Sequence, residues 1–286
     1  TGEGVCTYTH NENASTHTKT CLACGYTETG DCGFEKTADP TADSHTGQCP
    51  DCKRDRSGAH SFSDWAGNPV ARTCTVCGYE QTAVARVEKD STTSYVDKNG
   101  LNTVFAYNSG YEDATVTLLD DLTNTDYANR PKIDIRCTLN LNGHTLRSDL
   151  SSVPTLEVSA NGNVTIAGSG EIVSNSDAAL YVVGTAVLEG GTFCSGGTYH
   201  GAVEVLRGNL SVTGENVVME NTGSGNGLLI YDLEAVRLSA GKYSGAAGAI
   251  SVSTDAFTLS SLLNQEGASR VAYYKDNTTL VTEGLD

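Results

Sequence analysis

Eight of the ten cysteines lie in the first 77 residues, and six of them form CxxC pairs: Cys21/Cys24, Cys49/Cys52 and Cys74/Cys77, recurring after 28 and then 25 residues. A histidine precedes the first two pairs at the same offset, His17 before Cys21 and His45 before Cys49, while Val70 holds that place before Cys74. Farther upstream each repeat opens on a ligand type followed two residues later by an aromatic: Cys6/Tyr8, Cys32/Phe34 and His60/Phe62. Repeats of roughly 26 residues are too short to bury an apolar core, so the ligands themselves must supply most of the folding energy.

Spacing alone groups the ligands repeat by repeat. Unit one, about 6–26, is Cys6, His17, Cys21 and Cys24, and unit two, about 32–54, is Cys32, His45, Cys49 and Cys52. Both are Cys3His sets, the closed four-ligand chemistry of structural zinc. Unit three, about 60–82, offers His60, Cys74 and Cys77; Asp64 or His10 would complete it, or it stays vacant, so two or three zinc ions are expected. His10 is otherwise read as a solvated loop residue. Gly25 and Gly78 follow the second cysteine of their pairs, where a positive φ is often required, and Lys53 breaks that pattern. A disulfide framework is the competing reading, but it gives no reason for histidine to recur before CxxC. A thioredoxin-like redox role lacks its βαβ context.

The closest copy of a longer pattern is His60-Ser-Phe-Ser-Asp-Trp65 with Arg72-Thr-Cys-Thr-Val-Cys-Gly-Tyr-Glu80. It resembles the tandem repeats of large surface proteins from Gram-positive gut and oral bacteria. The resemblance covers residues 6 to 82 and implies zinc-ribbon-like spacer modules without catalysis.

After Thr82 a polar connector, 83–96, is expected, and beyond it short β-rich runs that repeat. Leu156, Leu180, Val203, Leu228 and Ile250 open similar triplets at intervals of 24, 23, 25 and 22 residues. A second series starts at Val164, Ala186, Leu210 and Val236, and a third passes through Ile172, Phe193, Val217 and Tyr243. Such a period predicts a mainly β fold, a right-handed parallel β-helix with three strands per coil over 97–257. The segment Leu139-Asn-Leu-Asn-Gly-His-Thr-Leu146 resembles the first coil of pectate-lyase-like β-helix proteins. That resemblance implies fold and carries no chemistry by itself. The tail, 258–286, reads as a short helix or turn at Leu259–Leu263 and then a hairpin capping the last coil. Cys137 and Cys194 are expected inside the stack.

With 18 Lys+Arg against 35 Asp+Glu the chain carries −17, and the cysteine-rich part is itself acidic, which excludes a phosphate-neutralising nucleic-acid binder. No apolar run is long enough to span a bilayer as a helix. Thr1-Gly2 at the start, in place of Met, reads as a mature or excised fragment. Across the coils the acids are scattered; Glu157 and Glu204 share one strand position and read as solvated outward residues, and His200 as a surface residue without a catalytic partner. The expected function is therefore a non-catalytic, monomeric module of a secreted or cell-wall-linked surface protein, with a glycan or host protein as partner. The alternative is a carbohydrate-active β-helix enzyme, a lyase or glycosidase.

Overall fold

The computed structural model describes residues 5–11, 15–127, 130–231 and 236–252, and the backbone of two further strands, Ala272–Lys275 and Thr279–Val281. The chain divides into two compact units at Thr82/Ala83.

The first unit is built from three small antiparallel sheets. Cys6–His10, Thr16–Cys21 and Thr27–Asp31 form one. Glu35–Ala38, Ser44–Gln48 and Gly58–Ala59 form the second, and Ala71–Thr73 with Glu80–Thr82 the third. Apolar burial is nearly absent. Among the described residues up to Thr82 the buried ones are His17, Cys32, His45, Gly47, Cys49 and Cys74. Outside the ligands, the Arg72 guanidinium lies over both the Phe62 ring, at 4.3 Å, and the Trp65 ring, at 4.4 Å. It also donates to Gln81 at 2.8 Å, which ties the His-x-aromatic-x-x-Trp start of the third repeat to its end.

The second unit is a parallel β-solenoid of about six turns. One sheet runs through Ala114–Leu118, Arg136–Asn140, Asn163–Ala167, Thr185–Leu188, Asn209–Val212 and Val236–Leu238. A second stacks Leu122–Asn124, Thr145–Ser148, Glu171–Ser174, Thr192–Ser195, Val218–Asn221 and Lys242–Gly245. The third stacks Lys132–Ile133, Leu156–Val158, Leu180–Val182, Gly201–Val205, Asn226–Ile230 and Gly248–Val252. Alternation of side chains along each strand aligns apolar residues into continuous rows, such as Ile166, Leu188, Val212 and Leu238, all buried. At the end of the second sheet's strands an interior row is polar instead: Asn124, Ser148, Ser174, Ser195 and Asn221. Each accepts a backbone N–H a few residues on, from Asp126, Leu150, Asp177, Gly197 and Gly225 in turn. These bonds satisfy the turn that swings the chain toward the third sheet.

Four sequence expectations are corrected. Residues 83–96 are no mere connector: Ala85–Lys89 pairs antiparallel with Ala114–Leu118 and buries Ala85 and Val87 in the solenoid core, with Thr92–Val96 on its other side. Next in the chain is a helix, Lys98–Phe105, capped by the Asp97 carboxylate accepting from Gly100 N at 2.7 Å and burying Leu101, Val104 and Phe105. The row Ile172, Phe193, Tyr243 passes through Met219, not Val217, although Val217 is also buried. Cys137 is interior, but Cys194 alternates with the buried Phe193 and faces outward. The tail hairpin forms between Ala272–Lys275 and Thr279–Val281, with the first strand continuing the second sheet beyond Lys242–Gly245. The expected turn at 259–263 lies outside the described residues.

Candidate metal centres and the outward acidic row

All three CxxC pairs make the same turn. The first cysteine's carbonyl accepts from the residue four on, Gly25 N at 2.9 Å, Lys53 N at 3.0 Å and Gly78 N at 2.9 Å. The first cysteine's own N–H reaches the carbonyl five on, of Tyr26, Arg54 and Tyr79, each at 2.8 Å. The residue after the second cysteine has positive φ in each: 70° at Gly25, 58° at Lys53 and 74° at Gly78. Lys53 therefore adopts the conformation glycine takes elsewhere, and the turn, not the residue type, is what repeats.

Two four-residue sets bring one ligand atom each within 4.8 Å of one another: His17, Cys32, Cys49 and Cys52, and His45, His60, Cys74 and Cys77. In the first, His17 Nδ1 lies 3.8 Å from Cys32 Sγ and 3.7 Å from Cys49 Sγ, and the Cys32 and Cys52 sulfurs are 3.6 Å apart. In the second, the Nδ1 atoms of His45 and His60 are 3.4 Å apart, Cys74 Sγ is 3.9 Å from His45 Nδ1 and Cys77 Sγ is 3.5 Å from His60 Nδ1. A tetrahedral ion bound at about 2.3 Å to sulfur and about 2.0–2.1 Å to nitrogen requires edges of about 3.8 Å for S···S, 3.5 Å for S···N and 3.3 Å for N···N. The three edges given for each set match these values within a few tenths of an ångström, and all four ligand atoms lie within 4.8 Å of one another, so both can hold a metal ion.

The remote ring nitrogens are committed elsewhere. His45 Nε2 donates to Arg56 O at 3.0 Å and His60 Nε2 to Thr41 O at 2.9 Å, which places the proton on Nε2 and turns the Nδ1 lone pair inward. His17 Nε2 faces the Asp51 carboxylate at 3.7 Å. Aromatic rings back the imidazoles: Tyr8 against His17, Phe34 against His45, and Tyr79 stacked on His60 at 4.8 Å.

This grouping corrects the one read from spacing. His17 joins Cys32, Cys49 and Cys52 of the next repeat, not Cys6, Cys21 and Cys24; His45 joins His60, Cys74 and Cys77, not Cys32, Cys49 and Cys52. The reason is the strand. Thr16–Cys21 is extended, so four residues separate His17 from Cys21 by about 13 Å, too far to share an ion. His17 instead lies opposite Gly30 on the neighbouring strand Thr27–Asp31, which leads directly into Cys32. The third repeat, lacking a histidine at Val70, is completed by His45; neither Asp64 nor His10 takes part, and His10 is exposed. Cys6, Cys21 and Cys24 stand apart from both sets, with Cys6 and Cys21 paired across two strands. None of the ten cysteines is joined in a disulfide.

The sulfurs in each set hold protons unequally. Burial and the adjacent Cys52 and Cys49 sulfurs push the Cys32 thiol up to about 11. Burial also disfavours the Cys49 thiolate, but N–H groups of Cys52 and Asp51 and the neighbouring thiols outweigh it and bring Cys49 down to about 6. Cys74 is opposed by burial and helped by the N–H of Cys77 and by His60, ending at about 6. Thiolates packed this closely repel, and a cation at their centre is what allows all of them to lose their protons together.

On the solenoid, one outward row of the third sheet reads Lys132, Glu157, Tyr181, Glu204, Leu229 and Ser251. Glu157 is half-buried and pairs with Arg130 at 2.6 Å and Lys132 at 3.5 Å. Glu204 is not the solvated residue expected: it is 4% exposed, accepts from Gly201 N at 2.9 Å and meets His200 Nδ1 at 3.0 Å. Burial raises its carboxyl above the usual range against the opposing pull of the Gly201 N–H and His200. His200 thus has partners, with Asp177 Oδ1 3.7 Å from the same Nδ1. No hydrophobic period or motif marks this cluster; the bend between the second and third sheets folds His200 back over Glu204. A shallow groove on the second sheet is lined by Glu220, Asn221, Thr222, Lys242 and Ser244.

Comparison with known proteins found no matching family model, no matching curated protein and no matching solved structure. Among the described residues no helix is long and apolar enough to cross a membrane.

Proposed function

We propose that the chain is a non-catalytic, monomeric module of a secreted or cell-wall-linked bacterial surface protein, in which zinc-stabilised Cys/His units act as a stalk and a β-helix is presented for adhesion. The β-helix is read as right-handed, with three strands to a coil. The observation that carries the stalk reading is the closure of both four-ligand sets, which leaves no coordination position for substrate. Thiolate and imidazole donors at tetrahedral edges favour zinc over the oxygen-seeking cations. For the binding face, support comes from the groove whose lining includes Glu220, Thr222, Lys242 and Ser244, a donor and acceptor set suited to sugar hydroxyls. The expected partner is a glycan or a host surface protein, with no nucleic acid, and the expected location is extracellular. Metal analysis of the purified chain is expected to find zinc at two or more ions per chain; its absence would remove the stalk reading. A glycan array and a mucin pull-down that both stay blank would remove adhesion and leave a spacer.

One observation favours a second reading, a carbohydrate-active enzyme: a buried carboxyl, Glu204, held against His200 in a row that also contains Glu157. Screening uronate and galactoside polymers decides it, since turnover abolished by Glu204→Gln would establish an enzyme and no turnover on any polymer would end the idea.

A further inference from the structure

In both closed sets one imidazole comes from one repeat and the CxxC pair from the next. The same rule applied to Cys21/Cys24 calls for a histidine from outside residues 5–82. His17, His45 and His60 are used, Val70 stands at the third donor position, and His10 is four extended residues from Cys6. The surface around this first pair differs from the other two in the manner that rule requires. Cys24 is exposed and Cys6 and Cys21 half-buried, whereas Cys32, Cys49 and Cys74 are buried at 7%, 0% and 2% exposure. Among the described residues, four of the eight exposed large hydrophobic side chains belong to this repeat: Val5, Tyr8, Leu22 and Tyr26. Tyr26 is 66% exposed, while its counterpart Tyr79 stacks on a ligand imidazole. Cys6 nonetheless lies directly opposite Cys21 on the neighbouring strand, and the Cys21–Cys24 turn has the hydrogen bonds of the two complete sites, although the three sulfurs are not drawn as closely together as the closed sets.

We propose that Cys6, Cys21 and Cys24 form a third metal site with one open position, an acceptor for the histidine of another Cys/His unit of the same repeat type, and that Val5, Tyr8, Leu22 and Tyr26 are the surface this unit covers. The proposal rests on the zinc reading of the two closed sets. It makes the array directional: every unit accepts an imidazole on one side, and the third gives none on the other. Three thiolates fix the ion in a site that water or a small ligand occupies until the imidazole arrives, a ligand substitution with no redox change.

Cobalt(II) titration of the full chain, with imidazole as the probe for the incoming side chain, separates the outcomes. Three equivalents are expected, the third tightening by roughly tenfold or more in about 10 mM imidazole with a change in its visible absorption, and only this equivalent disappearing in Cys21→Ser. Two equivalents regardless of imidazole would overturn the acceptor site while leaving the closed sets intact. No bound cobalt would overturn both. A third equivalent indifferent to imidazole would also reject the proposal, because the site would then be already complete. Alkylation gives an independent check. In zinc-loaded protein Cys6, Cys21 and Cys24 should label ahead of Cys32, Cys49, Cys52, Cys74 and Cys77, and imidazole should slow that labelling; equal labelling of all eight would count against an open position.

Discussion

The two compact units solve the burial problem in opposite ways. Up to Thr82 the described buried residues are Gly47 and members of the two Cys/His sets that could hold a metal ion, so the interior is a pair of candidate coordination spheres. From Ala83 onward the interior of the described residues is a stack of aliphatic and aromatic rows, with a continuous polar row in the turn ladder from Asn124 to Asn221. On the proposed reading the first unit takes its stability from a bound ion, whereas the second has an apolar interior of its own. Metal dependence and core mutations should therefore act on one unit each.

The largest effect expected is from chelation. Structural zinc contributes on the order of 10–16 kcal/mol in small units, so EDTA should abolish hydrogen-exchange protection up to Thr82 while the amides of Ala114–Leu118 through Val236–Leu238 stay protected. Loss of protection in both would show that the solenoid also depends on metal. Next, His45→Ala should free Cys74 and Cys77 to alkylation and leave Cys49 and Cys52 protected; the reverse pattern would restore the spacing-based grouping. In the solenoid, Phe193→Ala removes a fully buried ring and should cost about 3–5 kcal/mol with metal content unchanged. Glu204 gives a pH-dependent effect. Its folded pKa is raised, so its stabilising contribution is complete below the unfolded carboxyl pKa and is lost as pH rises through the folded value. Glu204→Gln should then gain in Tm relative to the parent as pH rises through the carboxylate range, and a gap that stays constant with pH would mean the carboxyl is not penalised by burial. Smallest is Lys53→Gly, which relieves a positive-φ lysine in the second CxxC turn and should stabilise the first unit by about 0.5–1 kcal/mol in thermal unfolding.

Legibility in the sequence divides along the same line. The solenoid repeat is readable because its period is local: Leu156, Leu180, Val203, Leu228 and Ile250 do stack in one row. The displaced third row, at Met219, reflects a longer turn before Val218–Asn221 that a fixed count cannot anticipate. The helix at Lys98–Phe105 carries a usable signal, Asp97 as N-cap and Leu101, Val104 and Phe105 on one face, but it is two turns long and sits in a polar stretch. In the Cys/His part the ligand types are legible and their partition is not, because coordination there is set by strand pairing between repeats. The clue to the partition is Thr16–Cys21 itself: an extended strand cannot fold His17 onto Cys21. Glu204 escapes a reading of its own strand for a related reason, since its burial comes from His200 and the bend beside it.

Val70 acquires a meaning from this arrangement. If each unit is a monomer and each ion the linkage to the next, then a histidine at that position is the reactive end that permits one more addition. Valine cannot coordinate, so the third unit is an end group: growth of the coordination polymer stops there, and the chain from Ala83 onward is free to be folded by an apolar interior.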